Sequence, residues 1–410
     1  MEKNLLIIYP HWPPSNLTGV HRPRLIANSI FKYGWHPVVL TVDSKYYEEQ
    51  PDFDMIKTVR PEVEVIYTKA WKVPKPRIFG DIGIRGFKFL YKKALEIIDS
   101  RKIDFIWIPI PSFYTALLGR LLHDKTGVKY GIDYIDPWVR DISGRKNIRS
   151  VLSNLVARIL EPYAIKKAAL ITGVAQEYFL PALDRTFGED KRPETLAFPY
   201  GFDIYDHQQE PSEINLPWEG CGCRPFLYAG AFLPNSRYFF DVFFEALSEI
   251  KHDLGNIKLF FIGSGAYSPK EIARKYGVDG FVEEINQRYP YLQILKMLEL
   301  SGGVMVIGST EKHYTASKIF QSLLSKRPVF AIFHKESTTV QVLSEAHADN
   351  YLALYSPEIS REELKARVLE KFYAFVKKQG TWQPDLDSLT KYSSAENARI
   401  FASKLDEIIR

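Results

Sequence analysis

The chain is poor in cysteine. Only Cys221 and Cys223 occur in 410 residues, close together in a Pro/Gly-rich stretch. Two thiols with no His or Cys cluster nearby cannot by themselves supply the four ligands of a structural zinc site. A cytoplasmic chain with free thiols is the expectation. Long apolar runs are also missing. No window approaches the roughly eighteen apolar residues of a membrane span. The opening MEKNLLIIYPHW holds too short an apolar run for a signal peptide. The expected protein is soluble, or attached to a membrane only at its surface. Charge of one sign is not abundant either: 54 Lys and Arg against 49 Asp and Glu leave +5, which does not imply nucleic acid. No repeat of fixed period and no low-complexity segment is present.

What is present is a globular composition, 46% apolar and 25% charged, with a high aromatic share of 14%. The length suggests two or three domains. In the first half, apolar runs at 5–9, 37–42, 63–67, 105–109, 130–134 and 169–172 read as buried strands. Helical patterns such as 20–33, 88–100 and 114–126 lie between them. Alternation of this kind means a parallel, doubly wound sheet covered on both faces. The stretch 207–225, HQQEPSEINLPWEGCGCRP, is polar, carries three prolines and has no periodicity, so it reads as a linker. The alternation then restarts, with strands at 226–229, 258–262, 303–307 and 329–333 and helices at 238–252, 291–301 and 317–326. A final helix, 395–409, follows a stretch with little structural signal. The expected fold is α/β: two facing doubly wound domains, 1–206 and 226–394, with a ligand cleft between them. The C-terminal helix, 395–410, is expected to pack back on the first domain.

The stretch HYTASKIFQSLLSKRPVFAIF (313–333) is the most informative. Ile319, Phe320, Leu323 and Leu324 form one apolar stripe, while Ser317, Lys318 and Gln321 sit on the other side near a helix start. A helix N-terminus with a lysine suits an anion such as a diphosphate. An amphipathic helix with a solvated polar face is the plainer reading of the same residues. After the first strand, YPHWPPSNLTGVHRPR is no dinucleotide turn, which disfavours a nicotinamide cofactor. Its Gly19 allows close backbone approach, and His21, Arg22 and Arg24 either meet an anionic acceptor or lie on the surface. In YGIDYIDPWVRD, Asp136 and Trp138 at a strand's carboxyl end form a carboxylate and aromatic pair suited to a sugar; an Asp capping the next turn is the alternative. Gly201 in FPYGFD can take positive φ in a loop expected to face the cleft. Gly230 follows a strand in FLYAGAFLPNSR, and Arg237 there suits a phosphate, or is simply solvated. Gly263 ends another strand in FFIGSG. The D-x-D triplets at 52–54 and 385–387 lie in polar stretches expected to be exposed, and no metal is assigned to them.

Taken together, these motifs resemble the GT-B-fold glycosyltransferases of the family-4-like group. The resemblance covers nearly the whole chain and rests on the glycine-containing loop after the first strand, YGWHPVVLT, YIDPW, PYGFD, YAGAF…R, FFIGSG and SKIFQSLLSKRPVFAI. It implies two Rossmann-like domains, the first for the acceptor and the second for a nucleotide diphosphate sugar, UDP- or GDP-linked. It also implies transfer with retention and without a required metal or other cofactor, in bacterial cell-surface polysaccharide synthesis. Arg237 and Lys318 match the cations that neutralise the leaving diphosphate; Asp136 joins them as the third expected catalytic residue, by its place at a strand end. Gly230, Arg237, Gly263, His313, Ser317, Lys318 and Gln321 are the expected donor contacts, and Gly19, His21, Arg22, Trp138 and Gly201 the acceptor or cleft residues. The sequence departs from the family where two glutamates eight residues apart are usual: His313 and Gln321 stand there. It also lacks the usual basic residue after Gly230. A GT-B-fold binding or partner subunit with weakened catalysis is therefore the alternative reading. The acceptor is expected to be a glycan or lipid-linked. The stretch 72–93, with seven cations, one acid and interleaved apolar residues, suggests contact with an anionic membrane surface, or an ordinary basic loop leading into a packed helix.

Overall fold

The computed structural model describes residues 3–75, 80–140, 148–188, 191–312 and 318–410. In chain order its strands and α-helices are β1 (Lys3–Ile8), α1 (Thr18–Ile30), β2 (Trp35–Val42), β3 (Glu64–Thr68), α2 (Ile82–Ser100), β4 (Phe105–Ile110), α3 (Ala116–Thr126), β5 (Tyr130–Tyr134), α4 (Ile148–Ile165), β6 (Leu170–Gly173), α5 (Leu180–Phe187) and β7 (Glu194–Ala197). They continue as α6 (Ile204–His207), β8 (Arg224–Ala229), α7 (Arg237–Ile250), β9 (Ile257–Ile262), α8 (Pro269–Lys275), β10 (Val282–Ile285), α9 (Tyr291–Leu300), β11 (Gly303–Ile307), α10 (Lys318–Leu324), β12 (Val329–His334), α11 (Thr338–Glu345), β13 (Leu352–Tyr355), α12 (Arg361–Lys377) and α13 (Ser394–Ile409). Two compact units result: Met1–Asp203 with Tyr392–Arg410, and Ile204–Lys391.

The first unit holds a parallel sheet in the order β3-β2-β1-β4-β5-β6-β7. Its central strand β4, FIWIPI, is apolar and buried at every position because both faces of the sheet are covered. Side chains alternate between faces. Leu6 and Ile8 therefore join one core with Val38, Leu40 and Leu90, while Leu5 and Ile7 join the other with Trp35, Trp107 and the α13 residues Phe401 and Leu405. The second unit holds the order β10-β9-β8-β11-β12-β13. Its core is rich in phenylalanine: Phe239, Phe240, Phe243 and Phe244 of α7 pack with Phe330, Phe372 and Phe375. Phe243 meets Phe372 edge-on at 4.9 Å, a geometry the ring quadrupole favours.

Several expectations are corrected. The stretch before the last helix is not poorly structured. It contains α12, 17 residues long, opened by Ser360, whose side chain accepts from the Glu363 N–H. Ser360 and Glu363 have the spacing of a capping box, a start signal that was present in the sequence. The cysteines are not free: Cys221 and Cys223 form a disulfide, the turn between them passing through Gly222 at φ +58°. The loop so closed is short, so it constrains little of the unfolded chain. Asp52 and Asp54 are buried, not exposed, and Asp54 pairs with Lys57 at 2.8 Å. In 72–93, Arg85 is buried and donates to the Gly80, Trp71 and Tyr46 carbonyls.

Candidate functional site

In the second unit the strand order reverses between β8 and β11. In doubly wound sheets ligands bind outside the carboxyl ends of the strands at such a reversal. Two glycines shape that edge. Gly230 follows β8 at φ +154°, and Gly263 follows β9 at φ +149°, a backbone region that only glycine adopts readily. A Cβ on Gly263 would stand 2.1 Å from the Gly230 carbonyl oxygen, so the two turns touch backbone to backbone.

Lys318, the first described residue of α10, reaches back over this floor. Its Nζ lies 3.8 Å from the centroid of the Tyr228 ring, and a Cβ on Gly230 would come within 2.8 Å of it. The residue keeps some solvent contact, but its ammonium tip is enclosed against the ring. No carboxylate of a described residue forms an ion pair with it. Burial alone pushes the ammonium down to about 7. The Tyr228 face offers partial compensation, on the order of 1–2 kcal/mol for a desolvated cation.

Arg237 opens α7, is exposed, and holds its guanidinium 6.0 Å from the Tyr267 ring centroid. Gln321, one turn on from Lys318, is engaged in a chain of side chains. Its side-chain amide lies 2.6 Å from His207 Nε2, and His207 Nδ1 lies 3.1 Å from Glu299 Oε1. The His207 bond holds the Glu299 carboxyl below its ordinary range, against the opposing effect of burial. Gln321 is thus engaged at one end of its amide by a neighbour within the protein. His207, which sequence reasoning placed in a linker, carried no signal of this role. His334 was also missed. It ends β12, is buried, and accepts from the Glu336 N–H on Nδ1, which leaves a buried Nε2–H without a partner among the described residues. His313 and Ser317 lie outside the described residues.

The first sheet reverses between β1 and β4. At this edge Tyr9 and His11 follow β1, Asp136 follows β5 and Tyr200 follows β7. Asp136 is half-buried and makes no hydrogen bond or ion pair with a described residue. Burial and its charge together push the Tyr9 and Tyr200 phenols up. His11 Nδ1 stands 3.0 Å from Glu49 Oε1, which also accepts from the Ser15 hydroxyl at 2.6 Å. Burial opposes ionisation of Glu49, but the bonds from His11 and Ser15 and the His11 charge prevail, bringing it to about 2. A carboxylate on Nδ1 leaves Nε2 of His11 as the free nitrogen, the arrangement that orients a histidine base. The motif YPHWPPS contained His11, but the sequence reading gave its weight to the cations that follow.

Those cations are corrected. Arg22 is fully buried; its Nε and Nη2 hold the Asp133 carboxylate at 2.6 and 2.8 Å, and its Nη1 donates to the Phe198 carbonyl at 2.8 Å. Asp133 also accepts from Thr172 Oγ1, which accepts from Trp107 Nε1. Arg22 therefore ties α1 to three strands and does not meet a ligand. Arg24 is buried and donates to the Thr58 carbonyl at 3.0 Å, while His21 Nδ1 lies 3.3 Å from Arg24 Nη2. Trp138 is only 7% exposed and stacks on Phe113, so it presents no open face to a sugar. Gly201, at φ +75°, serves packing, because a Cβ there would meet the Tyr392 carbonyl at 2.6 Å and Asn397 Nδ2 at 2.7 Å. Gly19 does allow a close approach: a Cβ would stand 2.4 Å from the Tyr9 hydroxyl.

Among the described residues, no group of three or more His, Cys, Asp or Glu could hold a metal ion, and no helix is long and apolar enough to cross a membrane. A cavity of about 480 Å³ lined by Lys166, Arg192, Glu194 and Glu407 lies by the amino ends of β6 and β7, away from the carboxyl edge. No protein-family model matches the chain, and no curated protein matches it in sequence. Solved structures do. A glycosyltransferase from Rickettsia africae is 14% identical with a TM-score of 0.58, over 100% of this chain and 99% of that one. Sucrose-phosphate synthase from Thermosynechococcus elongatus is 12% identical with a TM-score of 0.59, over 99% and 98%. HepE from Anabaena, in complex with UDP-glucose, is 13% identical with a TM-score of 0.52, over 99% and 97%. What is shared at this identity is architecture: the chain has the double α/β fold of the GT-B glycosyltransferases along its whole length.

Proposed function

We propose that the chain is a retaining glycosyltransferase that moves a sugar from a nucleotide diphosphate sugar to a glycan or lipid-linked acceptor in bacterial cell-surface polysaccharide synthesis. The observation that carries this reading is Lys318: a desolvated ammonium without a counter-ion, set on bare glycine backbone where the second sheet reverses. Its match is a diphosphate. When the bond from the anomeric carbon to the phosphate oxygen breaks, negative charge grows on the departing group. Lys318 and Arg237 then stabilise it more than in the ground state, which lowers the barrier. On the first unit, Asp136 and His11 Nε2 are acceptors for the hydroxyl protons of the sugar to be extended. UDP is the first donor nucleotide to try, because HepE was solved with UDP-glucose; GDP is the second. A lipid-linked acceptor would bring the protein to the surface of the inner membrane from the cytoplasmic side.

Calorimetry with UDP, GDP and their sugar conjugates, with and without magnesium, tests the reading. Saturable binding weakened by Lys318→Ala and by Arg237→Ala is expected. No binding to any nucleotide would sink it. The anomeric configuration of the product, read by proton NMR, tests retention. One observation favours a second reading, a binding subunit with weakened catalysis: the Gln321 amide is engaged by His207. Tight nucleotide binding with neither transfer to a lipid extract nor donor hydrolysis would select that alternative.

A further inference from the structure

We propose that the outer face of α4 docks on an anionic lipid surface. The helix is apolar on two sides. Toward the core it buries Ala157, Ala164 and Ile165. Toward water it leaves Ile148 84% exposed, Val151 48%, Leu152 60%, Leu155 55%, Ile159 66% and Tyr163 43%. At about 100° per residue these six fall on a single stripe about 120° wide. Single exposed aliphatic residues are ordinary; a continuous stripe of six marks a contact surface.

Charge and area together identify the occupant. Over the described residues 150–167 there are three Lys or Arg and one acid, Glu161, which is buried against Arg185 at 2.6 Å; Lys167 pairs with Asp124 at 2.7 Å. Arg158, on the edge of the stripe, and Lys166, at its end, are exposed and have no ion pair among the described residues. A second copy of the chain docked through this face would set like charges against each other. The stripe, about 22 Å long, would bury only a few hundred Å², short of the roughly 800 Å² per partner of a stable interface. A lipid surface needs no such area: an apolar stripe rimmed by cations lies in the headgroup layer, and anionic lipids supply the counter-charge. Among the described residues of the basic stretch 72–93, Leu90 is buried and Phe87 and Tyr91 pack on the core, so those three offer no apolar face.

The inference rests on the membrane part of the proposed function but on none of its chemistry, so vesicle binding and nucleotide binding can fail separately. The test is co-sedimentation of the full chain with phosphatidylcholine vesicles and with equimolar phosphatidylcholine and phosphatidylglycerol. Wild type should pellet with the anionic vesicles and be released by salt. Leu152→Glu/Leu155→Glu should reduce the bound fraction by about tenfold or more, and Arg158→Glu/Lys166→Glu should also reduce it. Both variants should keep the wild-type melting temperature and UDP affinity, since their side chains are exposed. The proposal is overturned if wild type stays in the supernatant, or if Leu152→Glu/Leu155→Glu binds undiminished. It is also overturned if Lys72→Glu/Lys75→Glu/Lys88→Glu alone abolishes binding. A dimer at sedimentation equilibrium that Leu152→Glu/Leu155→Glu dissociates would assign the face to a second copy instead.

Discussion

The ammonium of Lys318 lies 3.8 Å from the centroid of the Tyr228 ring, with no carboxylate of a described residue paired to it. The pair spans the point where the second sheet reverses: Tyr228 belongs to β8, and Lys318 opens the helix that follows β11. A cation held on an aromatic face without a counter-ion costs folding energy, and an anion bound there would offset that cost.

That cost sets a pH dependence. The Lys318 ammonium titrates near 7 in the folded chain, below its ordinary 10.5. Between these values the unfolded chain binds more protons, so this group's contribution to stability rises with pH through that window. Diphosphate binding restores the charge and takes up a proton. The UDP dissociation constant should therefore weaken by up to about tenfold per pH unit above 7. Calorimetry in buffers of different ionisation enthalpy should report uptake of close to one proton at pH 8. Lys318→Met should bind UDP weakly with no proton uptake; unchanged uptake in that variant would place the titrating group elsewhere.

His207→Ala should release Gln321 and weaken nucleotide binding by about fivefold, the scale of one lost hydrogen bond. It should also raise the Glu299 carboxyl. In the wild type that carboxyl is held low, so its stabilisation is full above the ordinary value of 4.5 and fades as pH falls through the lowered one. Melting curves of the variant should accordingly fall below wild type at neutral pH and converge with it in acid. Equal penalties at both ends would show that His207 acts by packing.

The His11–Glu49 pair predicts a loss of transfer with nucleotide binding intact. His11→Ala should slow transfer by about a hundredfold if Nε2 takes the acceptor proton, and Glu49→Gln should slow it less while flattening the pH–rate profile. The Glu49 carboxyl sits at about 2, so its share of stability is present above the ordinary 4.5 and lost between those values. Transfer rates within twofold of wild type in His11→Ala would remove the residue from the chemistry.

Arg22→Met should destabilise the first unit by about 3–5 kcal/mol, because it strands the buried Asp133 carboxylate. Urea unfolding followed by tryptophan fluorescence measures this. Replacing the pair together, Arg22→Met/Asp133→Leu, should cost less than the single change. A single variant as stable as wild type would mean that Asp133 takes up a proton at little cost.

The strands were legible because parallel, doubly covered strands are uninterrupted apolar runs, and Leu5–Ile8 or Val304–Ile307 read as nothing else. Gly230 and Gly263 were legible as strand-end turns. The ambiguity lay in which of several similar residues faces a ligand. Asp133 and Asp136 stand one helical turn's length apart in sequence, yet only the first is buried on Arg22. Trp138 looked like an open sugar platform, but Phe113, 25 positions earlier, covers it. The bond from His207 to Gln321 crosses 114 positions and had no local signal.

By itself the sequence determined the alternation of elements, the α/β class and the position of Lys318 at the start of a helix. Those follow from short-range periodicity and turn chemistry, which a chain carries locally. Only the tertiary structure decided which charges are spent and which are free. Arg22 became an internal strut, Lys318 a cation with no ion pair among the described residues, and Gln321 a residue held by His207. Burial and pairing depend on neighbours brought together across the fold, and those neighbours lie tens to hundreds of residues away.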